Sequence, residues 1–412
     1  MLIRLKQIIG TCFFAIFIAQ TVTTQAATYY VATTGSDSYA GTSTKPWKTI
    51  KYAVGKMVAG DTTYVSGGTY QEGEIRFSKS GTQSAPIKLL ASPGASPIIS
   101  FINKDPYNRI NFKSTTSTKS PIGWITLEGF ELRNGYDGIK IYNGHDITIR
   151  RNWIHHNPGQ GILGNGTRIL IDRNKINHNG PFTTCGTACG YVHGLYMNGK
   201  AITITNNIIY DNLCYGIQVN GSATYDSTKH PGPEYVYSSN WVIANNTLAY
   251  QGCAGIVLWS YAQNLRAENN VFYENGVKNS SLTAQGINFV GTQATGITIR
   301  NNLAYASGSG GTKFLGSGAK QGTNYTQSGN IVNTAQPKFV NAPATLPSSP
   351  NFSLASGSPA IDKGLALSLS STKISYPGTT RPKGYTYDVG AYEYNGSTTL
   401  SSLAEPISAQ AN

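Results

Sequence analysis

"HGLYMNGKAITITNNIIYDN" occupies residues 193–212, between two lines of the same make: "GIKIYNGHDITIRRNWIHHN" at 138–157 and "GIVLWSYAQNLRAENNVFYEN" at 255–275. Each line opens on a glycine, and six such positions align: Gly138, Gly161, Gly194, Gly216, Gly255 and Gly286. A short β-prone run follows each, then a few polar residues, then a second β-prone run closed by an asparagine. These closing residues are Asn152, Asn174, Asn207, Asn246, Asn270 and Asn302. The shortest intervals are 174−152 = 22 and 270−246 = 24 residues, and the longer ones carry inserts such as "GPFTTCGTACGYV" and "SATYDSTKHPGPEYVYSSN". A period in the low twenties without helical apolar spacing, and without a leucine-rich signature, predicts an all-β solenoid of stacked coils. Strand alternation turns Ile139, Ile162, Leu195, Ile217, Ile256 and Ile287 inward as one aliphatic stack. The aligned asparagines then form a side-chain ladder at a bend that tolerates left-handed backbone, a structural feature rather than a binding site.

The rest of the chain fits around this core. Only 12% of residues are charged and 26 are tyrosine, the composition of a folded chain rather than a disordered one. Residues 1–26 read as a secretory signal peptide: Arg4 and Lys6 precede an apolar run from Ile8 to Ala19, and "TTQAA" offers a small-residue cleavage site. That run is too short to span a bilayer, and no later stretch reads as a membrane span. A single solenoid domain over 27–396 is expected, with a loose tail at 397–412. "STKPWKTIKYAVGKMVAGD" (43–61) places Ile50, Ala53, Val54 and Met57 at helical spacing, which predicts a short helix capping the open end of the stack.

Charge and cysteines point outward. Without Arg4 and Lys6 the formal charge falls from +13 to +11, which suits a polyanionic partner. The basic residues do not run together as they do in nucleic-acid-binding segments, so an acidic polysaccharide is the expected partner of an exported (extracellular or periplasmic), monomeric protein. Cys12 leaves with the signal, and the remaining Cys185, Cys189, Cys214 and Cys253 suit disulfides. Cys214 and Cys253 each lie two residues before the opening glycine of consecutive coils, so they are expected to pair, leaving Cys185 with Cys189.

"YYVATTGSDSYAGTSTKPWKTIKYAV…AGDTTYVSGGTY" (29–70) resembles the opening of secreted right-handed parallel β-helix proteins of the pectate lyase and chondroitinase-like polysaccharide lyase type. "SLASGSPAIDKG" (353–364) and "RPKGYTYDVGAYEY" (381–394) resemble their closing segment. The resemblance implies right-handed coils and implies the fold more specifically than the reaction, since this fold also carries hydrolases and non-catalytic proteins. The calcium-dependent members have an acidic cluster on neighbouring coils and a lysine base. Here Asp137, Asp172 and Asp211 stand far apart in the repeat, so calcium stays possible but without a clear ligand cluster, and no metal ligands are assigned.

Residue chemistry on the outward side then suggests a site. Aligning the coils gives one outward column of Lys140, Leu163, Tyr196, Gln218, Val257 and Asn288. Asp137, Gln160, His193, Tyr215 and Ala254 lie beside it, and Tyr142, Asn165, Asn198, Asn220 and Trp259 lie two residues further on. At about 4.8 Å per coil, His193, Tyr196, Tyr215 and Gln218 fall together, with Lys140 roughly 10 Å away. Elimination from a uronan needs a carboxylate neutralised, the C5 proton removed and O4 protonated, work that His, Lys and Tyr can do. Expected roles are proton transfer by His193 and Tyr196, with Lys140 offsetting the carboxylate or, as the lysine-dependent lyases imply, acting as base. Gln218, Asn198, Tyr215, Asp137 and Trp259 are expected to hold the sugars. Hydrolysis needs two carboxylates flanking one bond, and only Asp137, with Asp226 and Glu234 in an insert, offers itself. A polysaccharide lyase is therefore the leading expectation. The alternatives are a non-catalytic glycan-binding surface protein and a β-helix glycoside hydrolase.

Overall fold

Successive coils repeat three strand segments, and each segment pairs in parallel with its counterpart one coil on. A computed structural model describes residues 26–102, 108–114, 120–181, 192–221, 238–259, 261–276, 286–290, 294–306, 314–316 and 324–396. The first and second faces belong to one extensive sheet, joined through the continuous strand Ile139–Arg150, and the third face forms a separate parallel sheet. The chain is a right-handed parallel β-helix, as the repeat and the resemblance imply.

The aliphatic stack forms in the expected register. Ile139, Ile162, Leu195, Ile217, Ile256 and Ile287 are consecutive partners, and each is at most 1% exposed. Ile75 and Ile110 extend the column toward the N-terminus. Burying each such side chain contributes roughly 1.5–3 kcal/mol, which is why the same letter recurs at each turn. The capping helix α1 spans Ile50–Lys56, with the Thr49 side chain accepting the Tyr52 N–H at its start. Ile50, Ala53, Val54 and Met57 all join the core.

Glycine recurs for lack of room. A Cβ added at Gly194 would lie 2.7 Å from the carbonyl oxygen of Gly216 and 3.0 Å from Asn212 Nδ2, with no space to shift. The asparagine ladder is equally regular: the side-chain amide of each member donates to the next, 3.1 Å from Asn152 to Asn174 and 2.9–3.0 Å thereafter through Asn207, Asn246, Asn270 and Asn302 to Asn330. The left-handed residue, however, is the one before each ladder member. Arg151, Arg173, Asn206, Asn245, Asn269 and Asn301 all have φ of 51–55°. The ladder amide holds the bend by donating back to the carbonyl two residues earlier, as Asn207 does to Thr205. A second ladder, Asn157, Asn179, Asn212, Gln251 and Asn275, repeats the device at the next bend.

Past residue 335 the chain leaves the coil path. Phe339–Asn341 and Asn351–Leu354 form an antiparallel pair, and Phe352, Leu354, Ala360, Val389 and Ala391 build a second core against the outside of the third face. Residues 363–371 run back along the stack as a strap. Asn301 donates to the Lys363 carbonyl, Asn269 exchanges hydrogen bonds with Leu365, Leu367 packs on Val242 and Ala244, and Asn206 donates to the Ser371 carbonyl. A buried Arg381–Glu393 ion pair at 2.5 Å fixes the end.

Cys214 and Cys253 are joined on adjacent coils, Cα atoms 4.5 Å apart, as their positions before the opening glycines imply. Cys185 and Cys189 lie outside the described residues. The bond closes a loop of 39 residues, for which chain entropy gives about 2–4 kcal/mol of stabilisation. Cys214→Ser/Cys253→Ser should therefore lower the unfolding free energy from denaturant titration by that amount without altering the circular dichroism of the folded state. A loss under about 1 kcal/mol would place the constraint elsewhere.

Candidate active site

The outward column of the first face runs Arg76, Asn111, Lys140, Leu163, Tyr196, Gln218, Val257 and Asn288 as successive register partners. From Lys140 onward this is the order read from the repeat. Arg76 and Asn111 are additions, because their coils lack the opening glycine: by register, Arg109 stands where Gly138 stands one coil later.

At the Tyr196 end the groups are enclosed. His193 is 1% exposed. Its ring stacks on Tyr196 and packs at a tilt on Tyr215, with centroids 5.8 and 5.0 Å away, its Nδ1 accepts the Tyr215 N–H at 3.3 Å, and its own N–H donates to Gln160 Oε1 at 2.6 Å. Burial pushes its pKa down to about 3, so the imidazole is neutral and one nitrogen is already used by the backbone. This geometry disfavours the expected proton transfer by His193 and gives it a positioning part, holding the Tyr196 and Tyr215 rings. Tyr196 is half-buried, and burial raises the pKa of its phenol. Tyr215, Gln218 and Asn198 are buried, Asn198 donating to the Asn220 carbonyl at 3.0 Å. Trp259 is 40% exposed and sits in register with Asn220 and Val290.

The buried neutral His193 has a measurable consequence. A histidine whose folded pKa is depressed contributes stability that is full above its unfolded value near 6.5 and is lost as pH falls toward about 3. In His193→Asn the amide oxygen replaces Nδ1 as acceptor but does not titrate. The stability gap between native protein and variant should therefore be widest above pH 6.5 and narrow on acidification by about 1.4 kcal/mol per pH unit. A gap that stays constant with pH would mean that the ring is already protonated or open to water.

The Lys140 end is more open and more charged. Lys140 is half-buried, and its pKa is lowered by burial, with the Arg109 charge adding to the effect and Asp137 opposing it. Asp137, at 1% exposure, is not open to a sugar: it accepts from Arg109 Nη1 and from the Gln160 N–H at 2.9 Å. Tyr142 follows the lysine by two residues on the same strand, at a one-residue bulge where Ile141 pairs Gly164 and Gly144 pairs Gly166. Lys140 Nζ and Lys113 Nζ lie 5.4 and 5.3 Å from the centre of its ring, and the Tyr142 pKa is raised chiefly by burial, so it keeps its proton. Arg76 pairs with Glu74 at 2.9 Å, and Asn111 also donates to Glu74. Two buried polar atoms here lack a protein partner, Arg109 Nε and Asn111 Oδ1. Lys140 and the place of Tyr142 two residues beyond it are legible in the sequence; Arg109 and Lys113 are not.

Calcium does not suit this donor set. Glu74 and Asp137 each hold a guanidinium, and among the described residues no three His, Cys, Asp or Glu gather as metal ligands. Asp226 and Glu234, the insert carboxylates, lie outside the described residues.

The family described as "Pel9A-like, right handed beta helix region" matches residues 29–190, and the general right-handed β-helix region matches 110–304. In these regions the chain resembles β-helix proteins of the pectate lyase type. Over 75 residues it is 48% identical to pectate lyase PEL9 of Emericella nidulans, a match spanning 18% of each chain. Among solved structures, pectate lyase Pel9A superposes with a TM-score of 0.56 at 18% identity, over 90% of this chain and 97% of that one. At that identity the superposition speaks for the shared β-helix, and the chemistry of the pectate lyase-like chain rests on its own residues.

Proposed function

We propose that the protein is a secreted polysaccharide lyase that cleaves an acidic, uronic-acid-containing polysaccharide by β-elimination on the first face of the β-helix. The observation that carries this reading is the half-buried Lys140, its pKa lowered by burial, beside the protonated Tyr142 and among Arg76, Arg109 and Lys113. Neutral Lys140 Nζ takes the proton from C5 of the uronate. The C5–H electrons form the C4=C5 double bond, the C4–O4 bond breaks, and the leaving O4 takes the Tyr142 phenolic proton. The surrounding cations stabilise the charge that develops on the carboxylate as C5 loses its proton. Trp259 stacks on a sugar further along the column and Tyr196 borders the path between, while Gln218 and Asn198 shape its floor.

Pectate lyase PEL9 supports a galacturonan as the first substrate to try. Hydrolysis is disfavoured because the carboxylates beside Lys140, Glu74 and Asp137, are both tied to arginines. Incubation with polygalacturonate, then with a panel of other acidic glycans, tests the reading. A lyase yields unsaturated uronyl ends that absorb in the ultraviolet. Reducing sugar without that absorbance would mean hydrolysis, and retention of the glycan without cleavage would mean a binding protein. Among the described residues no helix is long and apolar enough to cross a membrane, and the basic, apolar N-terminus supports export.

A further inference from the structure

The lyase reading leaves open what neutralises the substrate carboxylate. On that reading, we propose that Lys113, Arg76 and Arg109 do so in place of a divalent cation, so that cleavage by this protein is independent of calcium.

Three observations lead there. Arg76, Asn111 and Lys140 are register partners on consecutive coils, and Lys113 follows Asn111 by two residues, so it faces the same side. Lys113 and Lys140 share the Tyr142 ring, which places the Lys113 charge next to the base and the phenol. Arg109 is buried behind them and keeps an unpartnered Nε, while its Nη1 is spent on Asp137. A carboxylate lodged beside Lys113 and Arg76 would meet their positive charges, leaving the Lys140 amine for the C5 proton. A divalent ion at the same place would meet three cationic side chains and two carboxylates already paired with guanidinium groups. Like-charge repulsion disfavours the ion where it favours the uronate. The division of labour also fits a lysine base: burial lowers the Lys140 pKa, and the Arg109 charge adds to the effect while Asp137 opposes it.

The test combines turnover with a binding readout that does not depend on activity. Polygalacturonate cleavage, followed by the unsaturated product, is measured after dialysis against EDTA and again with added calcium chloride. The melting temperature of the full chain is recorded over the same calcium range. Turnover within about twofold across the series, with no calcium-dependent rise in melting temperature, is the expected result. Lys113→Ala and Arg76→Ala should each raise KM about tenfold or more, the equivalent of one charge-assisted hydrogen bond. Loss of turnover in EDTA with recovery in calcium would overturn the inference while leaving elimination intact. So would unchanged KM in both variants alongside active enzyme. Absence of unsaturated product under every condition, with this and the other acidic glycans, would overturn the lyase reading itself and this inference with it.

Discussion

Lys140→Ala should lower turnover on the cleaved polysaccharide by about 10²–10⁴-fold, the usual contribution of a positioned general base, with the melting temperature close to that of the native protein. The side chain packs over Tyr142 but makes no part of the inward stack, so the fold does not depend on it. Lys140→Arg should fail to restore activity although it keeps the positive charge, because a guanidinium stays protonated at any working pH and cannot accept the C5 proton. That contrast separates a base from a mere cation, since a residue that only offsets the substrate carboxylate would be replaced well by arginine. The pH profile gives a second check: the rate should rise with pH through the lysine's pKa, at a value below the ordinary 10.5. Turnover in Lys140→Ala within a few fold of the native value would move the base elsewhere on the face, and half-buried Tyr196 would be the next residue to change.

Asn207→Leu should cost roughly 3–6 kcal/mol, more than most single substitutions in a core. Asn207 is fully buried. Its Nδ2 donates to the carbonyls of Ile171 and Thr205 and to Asn246 Oδ1, each at 2.9 Å, and its Oδ1 accepts the Asn174 N–H at 2.8 Å. Leucine fills a similar volume but strands several of these groups away from water, at about 1–3 kcal/mol for each one left unmet. Asn330, the half-buried last member of the same ladder, sets the comparison. Asn330→Leu should lose much less, because water reaches that end. Denaturant titration of both variants measures the difference. Equal losses would mean that the ladder's worth lies in the bend alone and not in its burial.

The fold was legible because its causes repeat. Inward isoleucine, crowded glycine and ladder asparagine are required at every coil, so six copies outvote the inserts. The second ladder was equally legible and was passed over: Asn157, Asn179, Asn212, Gln251 and Asn275 each follow a ladder asparagine by five residues. The site was harder. The column from Lys140 to Asn288 could be ordered from spacing, but depth could not. His193 and Tyr196 stand three residues apart with their rings stacked, and packing by Gln160 and Tyr215 decides that the histidine is enclosed. Arg109 and Lys113 escaped because "NRINFK" replaces the opening glycine with arginine. The bulge after Lys140 is a one-residue irregularity that no periodic alignment can register.

The strap formed by residues 363–371 turns the number of coils into a fixed quantity. Before its reach, the left-handed position carries arginine, at Arg151 and Arg173; from Asn206 onward it carries asparagine, and Asn206, Asn269 and Asn301 each bond a strap residue. Doublet by doublet the asparagines serve two masters, one looking inward to the ladder and one outward to the strap. A duplicated coil between Asn246 and Asn270 would satisfy both ladders and the aliphatic stack. It would also displace Asn269 from Leu365 by one rung, about 4.8 Å, while Arg381 and Glu393 keep the far end of the closing segment pinned. A coil added ahead of Asn206 would leave these strap contacts in register, whereas one added between Asn206 and Asn301 would break them.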